Sequence, residues 1–166
     1  MLTFALSLAT PSAAAPPPAA GQRELLCGKA EVYTMDATLA QLDDAALGVF
    51  ATEGQLVSAV AQDGFARVLV EQMFESARVS TTFLYAGTDL VCIDSMTTTM
   101  RTVLAKRDDN PDGIDPAYRR DRWVLSPAGA VLVHHVQEAP APDQRHVDLD
   151  EQKALAPKLR AAIPAK

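Results

Sequence analysis

The sequence predicts an α+β domain: helices in the first half packed on an antiparallel β-meander of four to five strands, with a short C-terminal helix. Two differences in texture predict it. Asp36 to Ala77 is rich in Ala, Leu, Gln, Glu and Met, whereas β-branched alternation and turn signals dominate from Arg78 on. A sheet that hides one face under helices is the simplest way to join such halves.

Taken in order, Leu2–Ala9 is a short apolar run followed by small residues and a Pro/Ala-rich stretch. That is the shape of a secretory signal peptide over residues 1–15, although no Lys or Arg precedes the run. Residues 16–22 read as a Pro/Ala-rich leader. The run is too short to span a bilayer. A lipidated Cys27 is rejected, because Leu25 and Leu26 stand where a small residue belongs. The expected location is therefore exported, periplasmic or secreted.

The body is expected over residues 23–137. Asp36 is placed to cap a helix with Leu39, Leu42, Ala46 and Phe50 on one side. Thr52-Glu53-Gly54-Gln55 resembles a second capping box. Phe65 to Ala77 reads as a helix because "EQMFESA" holds good helix formers. Its rival is a hairpin about Asp63-Gly64, and Leu56–Glu71 stays open between the two. Then "VSTTFLYA" and "LVCID" flank Gly87-Thr88-Asp89, "TTTMRTVLAK" alternates, and "DRWVL" and "AVLVHHV" flank Ser126–Gly129. Residues 138–147 are a Pro-punctuated linker. Residues 148–166 form the closing helix and tail. Asp148 and Glu151 have capping-box-like spacing, Leu155, Leu159 and Ile163 share a face, and Pro157 should kink or divide the helix.

The chain has 166 residues and a formal charge of −6, with no charged residue before Arg23. That field repels phosphate and argues against nucleic acid as a partner; Arg119, Arg120 and Arg122 beside Trp123 read as a solvated face. The two cysteines, Cys27 and Cys92, are most simply one disulfide in an exported chain. A loop of that length is worth about 4 kcal/mol by chain entropy. A thiol nucleophile would need an oriented base, and no such signature surrounds either cysteine.

Asp108, Asn110, Asp112 and Gly113 match the first half of an EF-hand loop. Arg119 stands where the bidentate carboxylate should be, and a strand-like segment precedes the loop. Asp115 or Asp121 would have to complete an irregular calcium site, so a solvated acidic turn is the simpler reading. His134 and His135 are adjacent in a strand and point to opposite faces, so they do not grip one metal together. Met96 and Met100 share a strand face and could serve a softer metal. Either histidine could pair with Asp94 across the sheet as a general base. No phosphate-loop, GxGxxG, GxSxG or HExxH pattern occurs.

Three functions follow. The first is an exported binding or interaction domain without catalysis or cofactor, taking an apolar small molecule or a protein partner. The second is an enzyme assembled in space from Asp94 with His134 or His135. The third is a calcium-dependent structural or adhesion module on Asp108, Asn110, Asp112 and Asp115.

Overall fold

Gly64 decides the first half of the chain. It adopts φ 80°, a left-handed conformation that costs glycine little, and it turns the chain so that Gln62 faces Phe65. The computed structural model describes residues 17–29, 40–62, 64–102, 114–138 and 147–163. Its elements are α1 (Ala20–Lys29), β1 (Ala40–Gln41), α2 (Asp44–Leu47), β2 (Gly54–Gln62), β3 (Phe65–Phe74), β4 (Ala77–Ala86), β5 (Asp89–Thr102), β6 (Ile114–Leu125), β7 (Val131–Glu138) and α3 (Leu149–Ala162). All seven strands lie in one sheet in chain order, each antiparallel to the next.

The class is α+β, but the expected arrangement is overturned. Phe65–Phe74 is a central strand, not a helix. Its alternate residues Ala66, Val68 and Val70 are buried, which is period two, and the pairing satisfies its backbone on both sides. The helix propensity of Glu71, Gln72 and Met73 is worth tenths of a kcal/mol per residue, less than the burial of Val68 and Val70 at about 1.5–3 kcal/mol each. The capping box at Thr52–Gln55 does not form either, since the chain enters β2 at Gly54. Of the helix expected from Asp36, Asp44–Leu47 is the helical part among the described residues. Asp43 caps it by accepting from the Ala46 N–H at 3.1 Å, and Gly48 ends it at φ 73°. Phe50 is 75% exposed, and Asp36 and Leu39 lie outside the described residues. In the second half, "LVCID" and "TTTMRT" are one strand, β5.

The sheet has two unlike faces. On the first, Val57, Val68, Val70, Phe83, Ile93 and Leu125 pack with Ala156 and Leu159 of α3 and with Ile163, its C-cap. The closing helix thus uses the face expected of it. The Asp148 side chain accepts from the N–H groups of Asp150 (2.8 Å) and Glu151 (3.4 Å). Pro157 neither stops nor divides α3; it lies exposed within one helical run. The second face carries a smaller cluster in which Cys27 of α1 packs with Leu84, Val91, Cys92 and Val124.

Buried Tyr85 ties α3 to the sheet by donating its hydroxyl to the Ala156 carbonyl at 2.8 Å. Burial pushes the phenol's pKa well up, partly offset by the nearby Arg160 charge, so it remains a neutral donor. Tyr85→Phe removes this bond and is expected to cost about 1–2 kcal/mol in urea unfolding. A loss below a few tenths would mean that apolar contacts alone seat α3.

No described helix is long and apolar enough to cross a membrane.

Candidate functional site

Strand register sorts Asp94, His134 and His135 onto one face or the other. On the α1 face, Thr82, Asp94, Arg122 and His135 form one row across β4–β7. Asp94 is buried and accepts from Arg120 Nε (2.8 Å), Arg120 Nη2 (2.7 Å) and Arg122 Nε (2.8 Å). Burial alone would raise its pKa. The hydrogen bonds and charges of Arg120 and Arg122 outweigh that and hold it below the ordinary carboxylate value. Such a carboxylate is a weak base. Arg122 stands between it and His135, which turns its Nε2 to Glu24 of α1 at 3.1 Å.

His134 is on the α3 face, as strand alternation requires, and so is separated from Asp94 by the sheet itself. Its Nε2 lies 2.9 Å from Asp121 Oδ1, and its ring stacks on Trp123 at 5.1 Å between centroids. Arg119 holds the same Asp121 at 2.6 and 3.0 Å. Burial pushes the Asp121 pKa up, but the bonds from Arg119 and His134 bring it below the ordinary value. Ser95 sits opposite Asp121 on β5 and shares a 2.9 Å hydrogen bond with Thr81. Hydroxyl, carboxylate and imidazole therefore follow in the order Ser95, Asp121, His134 across three strands. A nucleophile–base–orienter relay needs the imidazole in the middle. The three arginines divide between the two faces, each engaged with an acid, rather than forming a basic patch.

Cys27 and Cys92 form the expected disulfide, with Cα atoms 5.9 Å apart. One helical turn before Cys27, Arg23 is fully buried. It donates to the Leu90 carbonyl (2.8 Å), to the Leu125 carbonyl and to both oxygens of Asp89. Residues 23 and 27 share one helix face, so a covalent bond and a buried ion pair together fix α1 on the sheet. Sequence reasoning missed Arg23. Its standing as the first charged residue of the chain is the one signal it offered.

The calcium candidates Asp108, Asn110 and Asp112 lie outside the described residues, as does His146. Asp115 is in β6, its Cα opposite that of Arg101. Among the described residues, no group of three or more His, Cys, Asp or Glu could hold a metal ion.

The feature the sequence did not disclose is a groove of about 600 Å³ on the α1 face, at the end of the β3–β4 hairpin. Met73, Phe74, Ala77 and Met96 give it a mainly apolar lining, with Ser80 and Thr98 beside them, and Glu53, Glu75 and Arg78 also border it. It adjoins a narrower pocket of about 160 Å³ that shares Ser80 and Met96 and reaches Asp94 and Arg120. Met73 and Met96 are about half exposed, and Leu56 and Tyr118 are exposed nearby on the same face. On the helix side a smaller cleft of about 320 Å³ between Val70 and α3 is walled by Gln72, Glu151, Gln152 and Lys158. No protein-family profile, curated protein or solved structure matches the chain.

Proposed function

We propose that this protein is a small exported binding domain that holds an apolar small molecule in the groove beside Met73 and Met96. The observation that carries the reading is the groove. Its volume falls in the range of ligand pockets, about 300–1,000 Å³. Its flexible thioether walls suit a ligand of irregular shape. The groove lies on the sheet face away from α3. The helix-side cleft is smaller and polar, so it suits an apolar ligand less well.

The polar groups support a binding role over a catalytic one. Asp94 is saturated by arginines, His134 is turned to Asp121, and His135 to Glu24. Export is supported by the leader pattern and by the Cys27–Cys92 bond, which persists best in an oxidising compartment.

The test is methyl NMR of the full chain labelled at methionine, titrated with a medium-chain fatty acid such as laurate. Saturable shifts confined to the Met73 and Met96 methyls are the expected result. Met96→Asp is expected to weaken binding at least tenfold, about 1.4 kcal/mol, without lowering the melting temperature. Methyl spectra that do not move with added ligand would sink the reading.

A further inference from the structure

The two edges of the sheet are treated very differently. Among the described residues, the β1 edge is two residues long, which blunts it against pairing. The β7 edge is eight residues, VLVHHVQE, with no proline and no lysine, and among the described residues it has a strand neighbour on one side only. Val131, Leu132 and Val136 are each more than two-fifths exposed. We infer that β7 is the contact strand of a two-fold dimer, pairing antiparallel with β7 of a second copy about a centre at Val136.

The register follows from elimination. Opposed residues in an antiparallel pair lie on the same face, so a two-fold axis through the sheet must set one residue opposite its own copy. A shift in pairing with β6 between Val124 and Leu125 leaves 133–138 as the regular stretch. Centring on His134 or His135 opposes two imidazoles, and the latter also sets Leu132 against Glu138. Centring on Val133 runs Val136, Gln137 and Glu138 onto Ala130, Gly129 and Ala128 of the β6–β7 turn, centring on Gln137 sets Val136 against Glu138, and centring on Glu138 opposes two carboxylates. Centring on Val136 opposes two exposed valines, pairs His135 with Gln137, and brings His134 against Glu138 twice, once on each side of the axis.

The charges favour the same choice. Glu138 and His134 both lie on the α3 face. Glu138 is held by Arg119 at 3.1 Å, and His134 by Asp121 at 2.9 Å. Joining Glu138 of one copy to His134 of the other gives a continuous row in which each carboxylate is flanked by a guanidinium or an imidazole: Asp121, Arg119, Glu138, then the other copy's His134 and Asp121. Like charges directly across a strand pair oppose it, and this register sets none against each other among residues 134–138. The contact is small against the roughly 1,600 Å² of a standard stable interface, so the dimer is of the weak, concentration-dependent kind.

The experiment is sedimentation equilibrium of the oxidised full chain, with and without substitutions on β7. A monomer–dimer equilibrium in the micromolar range is expected. Val136→Asp puts two carboxylates on the axis and should raise the dissociation constant at least tenfold, with circular dichroism and melting temperature kept as the folding control. Single-cysteine variants read the register independently. Val136→Cys should crosslink with its own copy on air oxidation, while His134→Cys and His135→Cys should not. The inference is overturned by a monomer up to about 1 mM, the outcome expected if β7 takes a strand of another protein instead. It is equally overturned by a dimer indifferent to Val136→Asp, or by crosslinks at 134 or 135 in place of 136. None of these readouts depends on the groove.

Discussion

Replacing both Cys27 and Cys92 by alanine is expected to lower unfolding free energy by about 4 kcal/mol. The bond closes a loop with a sequence separation of 65, and the chain-entropy cost of leaving such a loop open is of that size. That is a large share of the 5–15 kcal/mol that holds a typical domain. Both cysteines are fully buried in the small cluster with Leu84, Val91 and Val124, so the alanines also thin that packing. The loss should be local first. α1 sits on the sheet chiefly through Cys27 and Arg23, and without the covalent tie its anchoring falls mainly to Arg23, with its ion pair to Asp89 and its bonds to the Leu90 and Leu125 carbonyls. Urea unfolding of the oxidised chain against the double variant measures the total. Amide exchange along Ala20–Lys29 shows whether α1 opens before the sheet. A loss under about 1 kcal/mol would place the anchoring of α1 on Arg23 rather than on the disulfide.

The strands of the second half were legible because β-branched residues alternate there and the turns are marked by Gly87 and Gly129, both at positive φ. The first half was misread for a physical reason. Glu71, Gln72 and Met73 are good helix formers, but they extend a strand that β2 and β4 bracket, and pairing on two sides outweighs local preference. Asp63-Gly64 was the signal that carried the answer. The disulfide was legible because the chain holds only two cysteines. The groove was not. Met73 and Met96 are distant in sequence and meet only through the registers Met73–Arg78–Thr98 and Ser80–Met96, which no local pattern encodes. Asp94 was expected to pair with a histidine across the sheet, and its partners are Arg120 and Arg122 instead. The two arginines lie two residues apart on one strand, and that same-face spacing was the available clue.

Those partners make Asp94→Ala the second large effect, at about 3 kcal/mol. The carboxylate is buried while each arginine side chain keeps about a quarter of its surface in water. Its removal therefore leaves two partly buried charges with their shared acceptor gone, and solvent relieves only part of the cost. The same cluster gives a pH dependence of definite sign. The folded pKa of Asp94 lies below its ordinary value of 3.8, as does that of Asp121. A depressed carboxylate stabilises the fold fully above the unfolded pKa, and that contribution is lost as pH falls through the folded one. Stability should thus be level from neutral pH down to about 5 and fall steeply below 4. Asp94→Asn should start lower and show a shallower acid limb, with the remaining slope carried by Asp121 and other acids. Combining Asp94→Leu with Arg120→Met and Arg122→Met should recover most of the lost stability, because the desolvation cost disappears with the charges. If the single Asp94→Ala variant unfolds at the wild-type urea midpoint, the three-residue cluster is not holding β5 to β6. The acid limb must then be assigned to Asp121 with Arg119 and His134.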